Sequence, residues 1–448
     1  MIALGGLWSD IFEYNTLVVL AGTVVLAVSA GVVGVFMLVR KRALVGDVVG
    51  HAALPGVAIA FLYIEMFRSG GGKNMAGLLV GAWLAAMTGI LCVLAIRRFS
   101  RIKEDAAMAI VLSIFFGAGV VLLSVIQKVD LSQSGLKDYI FGMAAAMVMS
   151  DVYLNAAVAL LVLCLCAVFF KELTLLCFDE EFAATQGWPV ATLDLLLMSL
   201  IVCVAVAGMQ SVGVLLVVAL LIIPAAAARF WTDRMFPMTL ISSGLGGVSA
   251  GLAIIVSRIY GHLATGPLIV LASAMFFLIS MFFGRRRGVL RRLLVHWRLT
   301  RRVGRHDLLR AAYEYLERAL TGTGATSEKE MTAHAIPIEA LLEMRSWSAK
   351  RLKRLIASAR REKLLDCACV GEIQLTSRGF TEAVQAIRNH RLWEMYLITY
   401  ADIAPSHVDR DADQIEHVLD AELVRELESG LAQYSPQMHV PASPHKLS

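Results

Sequence analysis

A carboxylate and an imidazole stand four residues apart in an apolar stretch, at Asp47 and His51. On a helix that spacing puts both on one face. Ionisable groups at membrane depth cost several kcal/mol unless paired or hydrated, and so mark a pathway more often than a packing contact. Carboxylate plus imidazole is a mixed hard and borderline donor set, suited to Mn²⁺, Zn²⁺ or Fe²⁺. Two such residues from each of two copies would make a four-ligand site on a shared axis. The same spacing serves equally for an Asp–His hydrogen bond that only braces a helix.

A second constellation lies near the other end of the chain. His390 and Glu394 are again four apart, and Asp409, Asp413, Glu416 and His417 follow on one face of the next predicted helix. Six oxygen and nitrogen donors on two adjacent helices suit a divalent metal; a charged outer face with i,i+4 pairs is the alternative. Upstream, Lys350, Arg351, Lys353 and Arg354 stud one predicted helix, as a helix reading a DNA groove would require. A solvated basic face would look the same.

The elements that must position these groups divide the chain in two. Hydrophobic residues make up 58% of the 448 and charged residues only 17%, too apolar a balance for an ordinary soluble protein. Of the 41 Lys+Arg, 26 lie in residues 285–448, so the front is predicted to be a membrane domain and the back a soluble one. A bilayer core takes about 20 apolar residues in helix. Candidate spans are 15–39, 48–64, 76–96, 106–126, 151–170, 192–208, 211–228, 236–257 and 266–284, eight or nine in all, with 48–64 a candidate re-entrant segment. The clusters at Arg40-Lys41-Arg42, Arg97 to Lys103, Arg229 with Arg234, and Arg285-Arg286-Arg287 fall on one face of a nine-span count, which makes that face, and the C-terminal domain, cytoplasmic. The first apolar run has no basic region before it and reads as a first span rather than a removed signal peptide. The seven cysteines lack the partner spacing of a zinc finger and are expected to be reduced. No G-x-x-x-x-G-K-[ST] loop occurs; Ser69-Gly-Gly-Gly-Lys-Asn74 lacks its spacing and hydroxyl. No ATP is therefore expected on this chain, which is not expected to be an enzyme.

Residues 285–305 hold nine arginines and no acid, which predicts an anionic-lipid anchor beside the last span, or else a nucleic-acid patch. Asp307–Leu320 has helical periodicity, and 321–327 is a Thr/Gly-rich linker. Beyond it, Pro337–Met344 and Ser348–Lys363 read as two helices, Cys367–Leu375 as paired strands, and Thr376-Ser-Arg-Gly379 as the start of a third helix. Helix, turn, helix and a two-stranded wing predict a winged-helix fold.

Four segments resemble the manganese/zinc/iron family of ABC-transporter permeases. They are Arg42-Ala-Leu-Val-Gly-Asp-Val-Val-Gly-His-Ala-Ala-Leu-Pro-Gly-Val57, Lys103-Glu-Asp-Ala-Ala-Met-Ala-Ile-Val-Leu-Ser-Ile114, Phe178-Asp-Glu-Glu-Phe-Ala-Ala-Thr-Gln-Gly187 and Ser211-Val-Gly-Val-Leu-Leu-Val-Val-Ala-Leu-Leu-Ile-Ile-Pro-Ala225. The resemblance covers residues 15–284 and implies that Asp47 and His51 line the metal path. It also implies that Phe178, Asp179, Glu180, Glu181, Phe182 and Gly187 belong to a cytoplasmic coupling helix docking on a separate ATPase. Residues 306–428 resemble the diphtheria-toxin-repressor type of metal-dependent regulator, through His390-Arg-Leu-Trp-Glu394 and Val408-Asp-Arg-Asp-Ala-Asp-Gln-Ile-Glu-His-Val418. That resemblance would put His390, Glu394, Asp409, Asp413, Glu416 and His417 in its metal-ligand and dimer-interface region. Asp409 stands where that family commonly has a histidine, and His407 is a substitute ligand.

The expected fold is an all-α polytopic membrane protein of eight or nine transmembrane helices, followed by a soluble winged-helix plus helical metal-binding/dimerisation domain. The expected divisions are 1–284 permease, 285–327 basic juxtamembrane helix and linker, 328–388 winged helix, 389–430 metal-binding segment, and 431–448 disordered tail. The expected function is import of Mn²⁺, Zn²⁺ or Fe²⁺ across a bacterial inner membrane, the divalent metal ion being both substrate and effector. The expected partners are an ABC ATPase subunit, an extracytoplasmic metal-binding protein, a second permease subunit (homodimer or heterodimer), membrane lipid and DNA. A membrane-tethered, metal-dependent transcriptional regulator is the rival.

Overall fold

Among the described residues, eight helices are long and apolar enough to cross a membrane. The structure, a computed structural model, describes residues 13–67, 75–128, 147–260, 263–320, 328–345 and 347–400. It divides between Arg292 and Leu293 into two compact units.

In chain order the first unit runs α1 (Tyr14–Val39), α2 (Val45–Phe67), α3 (Met75–Phe99), α4 (Glu104–Lys128), α5 (Met149–Val168), α6 (Phe170–Phe178), α7 (Glu180–Thr185), α8 (Val190–Val212), α9 (Val214–Ala228), α10 (Met235–Tyr260) and α11 (Thr265–Phe283). All but α6, α7 and α9 belong to the eight. A 23-residue helix such as α2 rises about 35 Å, enough for a hydrocarbon core of about 30 Å. The segment expected at 48–64 thus lies in one continuous helix long enough to span.

The region expected to hold spans 192–208 and 211–228 is different. α8 continues to Val212, and the chain breaks at Gly213, whose φ of 92° favours glycine. The 15 residues of α9 then rise only about 22 Å. A break in an apolar helix is tolerated where protein covers the freed backbone groups. Gly213 is buried, and Ser211 beside it accepts a 2.8 Å hydrogen bond from the Asn155 amide of α5.

Close packing explains the small residues of the spans. α1 packs against α5, α9 and α10, α2 packs against α3 and α4, and α8 touches members of both groups. A Cβ on Gly34 of α1 would overlap the Leu221 carbonyl of α9, and one on Gly56 of α2 would overlap the Gly81 carbonyl of α3. Lipid tails give helices no hydrophobic reason to associate, so such backbone contact and interhelical hydrogen bonds hold the bundle. Ser242 of α10 donates to the Gly31 carbonyl at 2.7 Å, one bond of that kind.

The second unit begins within α12 (Val289–Leu320) and continues with α13 (Glu328–Ala333), β1 (Ile336–Pro337), α14 (Ile338–Met344), α15 (Ala349–Arg361), β2 (Leu365–Cys369), β3 (Glu372–Leu375) and α16 (Ser377–Tyr400). From Val289 onward the basic stretch and the periodic 307–320 segment are therefore one continuous helix. Its latter half buries Leu308, Leu309, Ala312 and Leu316 in a core shared with Leu352, Ile356, Ile373 and Ile387. The three strands are antiparallel in the order β1-β3-β2, with Leu365 opposite Leu375 and Ile336 opposite Ile373. Ser348 caps α15 by accepting from the Arg351 N–H at 3.3 Å, one of the donors a helix start leaves open.

Candidate functional site

Asp47 lies in the first turn of α2, where the helix dipole favours a carboxylate. His51 follows one turn on, and both side chains are half-buried. The imidazole sits edge-on to Phe116 of α4, with ring centroids 5.0 Å apart and planes at 78°. Its Nδ1 is buried and has no hydrogen-bond partner. Among the described residues no hydrogen bond joins Asp47 to His51, so the bracing alternative lacks its bond. An unmade hydrogen bond on a buried imidazole costs about 1–3 kcal/mol, which a lone structural histidine has no reason to bear.

One turn beyond His51 stands Pro55, inside the helix. Proline has no N–H to give to the carbonyl four residues back, so the main-chain oxygen of His51 loses its helical donor. The ring is accommodated because α4 offers Gly119 there, where a Cβ would come within 3.2 Å of Pro55 Cδ. The same turn thus presents a carboxylate, an imidazole nitrogen and a freed carbonyl oxygen.

The segment expected to couple to an ATPase forms the end of α6 and all of α7. Asp179 caps α7 by accepting from the Phe182 N–H at 2.8 Å. Gly187, at φ 81°, lets the chain turn after it. Phe178 and Phe182 are 65% and 49% exposed, and Trp188, which the sequence reading passed over, is 43% exposed. Aromatic side chains displayed together on a turn outside the eight apolar helices suit a protein-docking surface.

Sequence reading also missed the charges around this turn. Arg40 and Arg42 look like ordinary loop cations, yet their side chains are only 6% and 3% exposed. Both pair with Asp194 of α8, a single carboxylate in a 23-residue apolar helix. Such isolation was the available signal. On α6, burial pushes the Cys177 thiol up to about 12; nearby Asp194 acts in the same direction, while Arg40 and Arg42 oppose it. All seven cysteines are free.

In the second unit His390 and Glu394 are brought together on α16, with Nε2 and Oε1 3.2 Å apart. His390 Nδ1 lies 2.7 Å from Nη1 of Arg310, a residue of α12. A guanidinium can only donate, so Nδ1 accepts and the ring proton sits on Nε2, facing Glu394. All three residues are at most 2% exposed. Here the imidazole is engaged on both sides, and a metal ion would have to displace Arg310 or Glu394 to reach it. Arg391 beside it pairs with Glu317 at 3.1 Å. Asp409, Asp413, Glu416 and His417, together with His407 and the 431–448 tail, lie outside the described residues. Among the described residues no three His, Cys, Asp or Glu side chains converge as a metal-binding group.

Lys350, Arg351, Lys353 and Arg354 are all exposed on α15, whose other face buries Leu352, Ile356 and Ala359. The β2–β3 turn projects Val370, fully exposed, beside Gly371 at φ 92°.

The eight apolar helices among the described residues define a multi-pass membrane protein. The chain belongs to the ABC 3 transport family, whose model matches residues 13–284. A second model, the iron dependent repressor, metal binding and dimerisation domain, matches residues 376–444. The manganese transport system membrane protein MntC of Bacillus subtilis is 38% identical over 406 residues, covering 90% of this chain and 89% of that one. The zinc transport system membrane protein TroC of Treponema pallidum is 39% identical over 302 residues, 67% of this chain but 97% of its own length. Its alignment thus runs nearly end to end on its own side and leaves a third of this chain unmatched. Among solved structures, PsaBC from Streptococcus pneumoniae in complex with Fab aligns with a TM-score of 0.56 at 32% identity, over 64% of this chain and 99% of that one.

Proposed function

We propose that this chain is the permease subunit of an importer for divalent transition-metal ions, with Mn²⁺ or Zn²⁺ favoured by the relatives' substrates. Asp47 and His51 of two permease copies line the path, and the freed His51 carbonyl adds hard-oxygen character that suits Mn²⁺. The observation that carries this reading is the buried, unpartnered Nδ1 of His51 on the face it shares with Asp47. A separate ATPase docks on Phe178, Phe182 and their neighbours in α6–α7, and an extracytoplasmic binding protein delivers the ion. The end of the bundle bearing Arg40, Arg97 and α7 is cytoplasmic, because basic loops stay inside.

The second unit is then a cytoplasmic, metal-responsive regulator of winged-helix type. The α14–α15 pair, the β2–β3 hairpin and the exposed basic residues of α15 support this. Metal would have to compete with Arg310 for His390. The first half of α12 exposes Leu290, Leu293, Leu294 and Trp297 at i, i+3, i+4 and i+7 among arginines, the pattern of a helix lying on an anionic lipid surface.

The test is uptake of radioactive Mn²⁺ and Zn²⁺ into proteoliposomes holding the permease with and without its ATPase. Uptake that needs the ATPase and is abolished by Asp47→Ala supports the importer. Uptake unchanged by that substitution would take Asp47 out of the path, no uptake at all would leave the spans as an anchor for a membrane-tethered regulator, and uptake without the ATPase would make the protein a gradient-driven carrier.

A further inference from the structure

Six charged side chains close into a ring at the end of the first unit that carries α7. Arg42 Nη1 lies 2.5 Å from Asp194 Oδ1, and the same oxygen lies 3.2 Å from Arg40 Nη2. Arg40 Nη2 also reaches Glu180 Oε2 at 3.1 Å, and the other oxygen of Glu180 lies 3.3 Å from Arg97 Nη2. Arg97 Nη1 is 3.6 Å from Glu104 Oε2, and Glu104 Oε1 returns to Arg42 Nε at 2.5 Å. Every cation touches two anions and every anion two cations, so the charges balance and no member can leave without breaking two contacts.

The six residues come from five places. Arg40 and Arg42 belong to the turn between α1 and α2, Arg97 ends α3, Glu104 opens α4, Glu180 belongs to α7 and Asp194 to α8. Lys41 takes a left-handed φ of 59° between the two arginines, and the Val45 N–H donates to the Arg42 carbonyl as α2 begins. Asp47 follows two residues later. Arg40 also donates to the Leu176 carbonyl of α6 at 2.8 Å. The turn that aims the Asp47–His51 pair is therefore held by the segment proposed to meet the ATPase.

Exposure is graded around the ring. The side chains of Arg40, Arg42 and Asp194 are 6%, 3% and 8% exposed, while Arg97, Glu104 and Glu180 are 36%, 29% and 42% exposed. Buried ion pairs are a poor source of stability because desolvation offsets their attraction; holding a register or switching between two is their better-attested use. The hydrated half can exchange partners at modest cost, whereas the dry half moves as one piece.

We propose that this ring is the transmission linkage of the transporter, with Arg40 the positioning residue that ties α7 to the turn carrying Asp47. A displacement of α7 acts on Glu180, passes through Arg40 and Asp194, and reorients the start of α2. The linkage rests on the reading of α7 as the ATPase-docking segment. Loss of the linkage should uncouple ATP hydrolysis from metal movement and leave the ATPase bound.

The experiment uses the full-length permease assembled with its ATPase in proteoliposomes, and reads ATP hydrolysed per Mn²⁺ transported. For Arg40→Gln the ATPase should co-purify and hydrolyse ATP, with that ratio raised at least tenfold. Combining it with Glu180→Gln should raise the ratio no further, since both cut one chain of contacts. Arg97→Gln, at the hydrated rim, gives a second route if Arg40→Gln does not assemble, with a ratio raised about threefold. A wild-type ratio in Arg97→Gln, or in an assembled Arg40→Gln, overturns the linkage. Phe182→Ala tests docking alone. If the ATPase stays bound and coupled in that variant, the docking reading falls independently of the ring.

Discussion

His51 and His390 each stand one helical turn from a carboxylate, and they are in opposite states. On α2, His51 and Asp47 share a half-buried face, exchange no hydrogen bond, and leave Nδ1 without a partner. On α16, His390 meets Glu394 on one side and Arg310 on the other, and the three are sealed from solvent. Spacing is the same in both. The difference lies in what the neighbouring helix offers: α4 brings the Phe116 ring to His51, whereas α12 brings a guanidinium to His390. A ring nitrogen without a hydrogen-bond partner stays open to a passing cation, while one faced by a guanidinium already has a cation beside it.

The largest effect expected from breaking this contrast falls on transport. His51→Leu removes the imidazole and with it an unsatisfied buried nitrogen, so the permease should unfold at an equal or higher temperature while Mn²⁺ uptake drops by about two orders of magnitude. A variant that lost uptake and stability together would make His51 a structural group after all. Next comes His390→Leu, which removes the imidazole that links Arg310 to Glu394, two charges at 1% and 2% exposure, and leaves Arg310 its pair with Glu314 at 3.1 Å. The second unit should lose about 3 kcal/mol, read as earlier proteolysis of the full chain. Adding Arg310→Met should restore part of it, because an apolar replacement of both partners is far less costly than removing one. Full stability in the single variant would mean that His390 is not braced.

Much of this architecture was legible beforehand. The long spans announce themselves by length and hydropathy, and the periodicity of Ser348–Lys363 and the alternation of Cys367–Leu375 mark smaller elements of the second unit. The break falls at Gly213 and not in the gap expected between spans 192–208 and 211–228, because hydropathy cannot see a backbone angle. The ring escaped for another reason. Its arginines were accounted for as loop charges, and only folding brings Glu180 to Arg40 and Asp194 to Arg42, across 140 and 152 residues. Arg310 stands 80 residues from His390, so nothing local distinguishes a ligand-poised imidazole from a braced one. Spacing along one helix is written in the sequence; the third partner is not.

Pro55 sharpens the contrast from the backbone side. Pro55→Ala gives α2 back the N–H that the His51 carbonyl lacks and should straighten the helix, stabilising it by about 1 kcal/mol or more. Uptake should fall several-fold rather than vanish, since Asp47 and the imidazole remain. Mn²⁺ should suffer more than Zn²⁺, because the oxygen lost to the restored hydrogen bond is a hard donor. Equal losses for both metals, in a competition uptake assay, would remove the carbonyl from the site.

The smallest effect belongs to the ionic neighbourhood of His390. Tyr313 of α12 is 7% exposed, and burial, aided by the Glu317 carboxylate and opposed by Arg391, raises its phenol above the ordinary value of 10. The folded chain therefore holds that proton more tightly than the unfolded one. This contribution to stability is complete below pH 10 and is lost as pH climbs through the raised pKa. Tyr313→Phe keeps the ring against Phe380, at 6.0 Å between centroids, and removes the titration. It should cost under about 1 kcal/mol at neutral pH. It should also flatten the alkaline decline of the second unit, measured by limited proteolysis of the full chain from pH 8 to 11. An unchanged decline would assign the alkaline sensitivity to a group other than Tyr313.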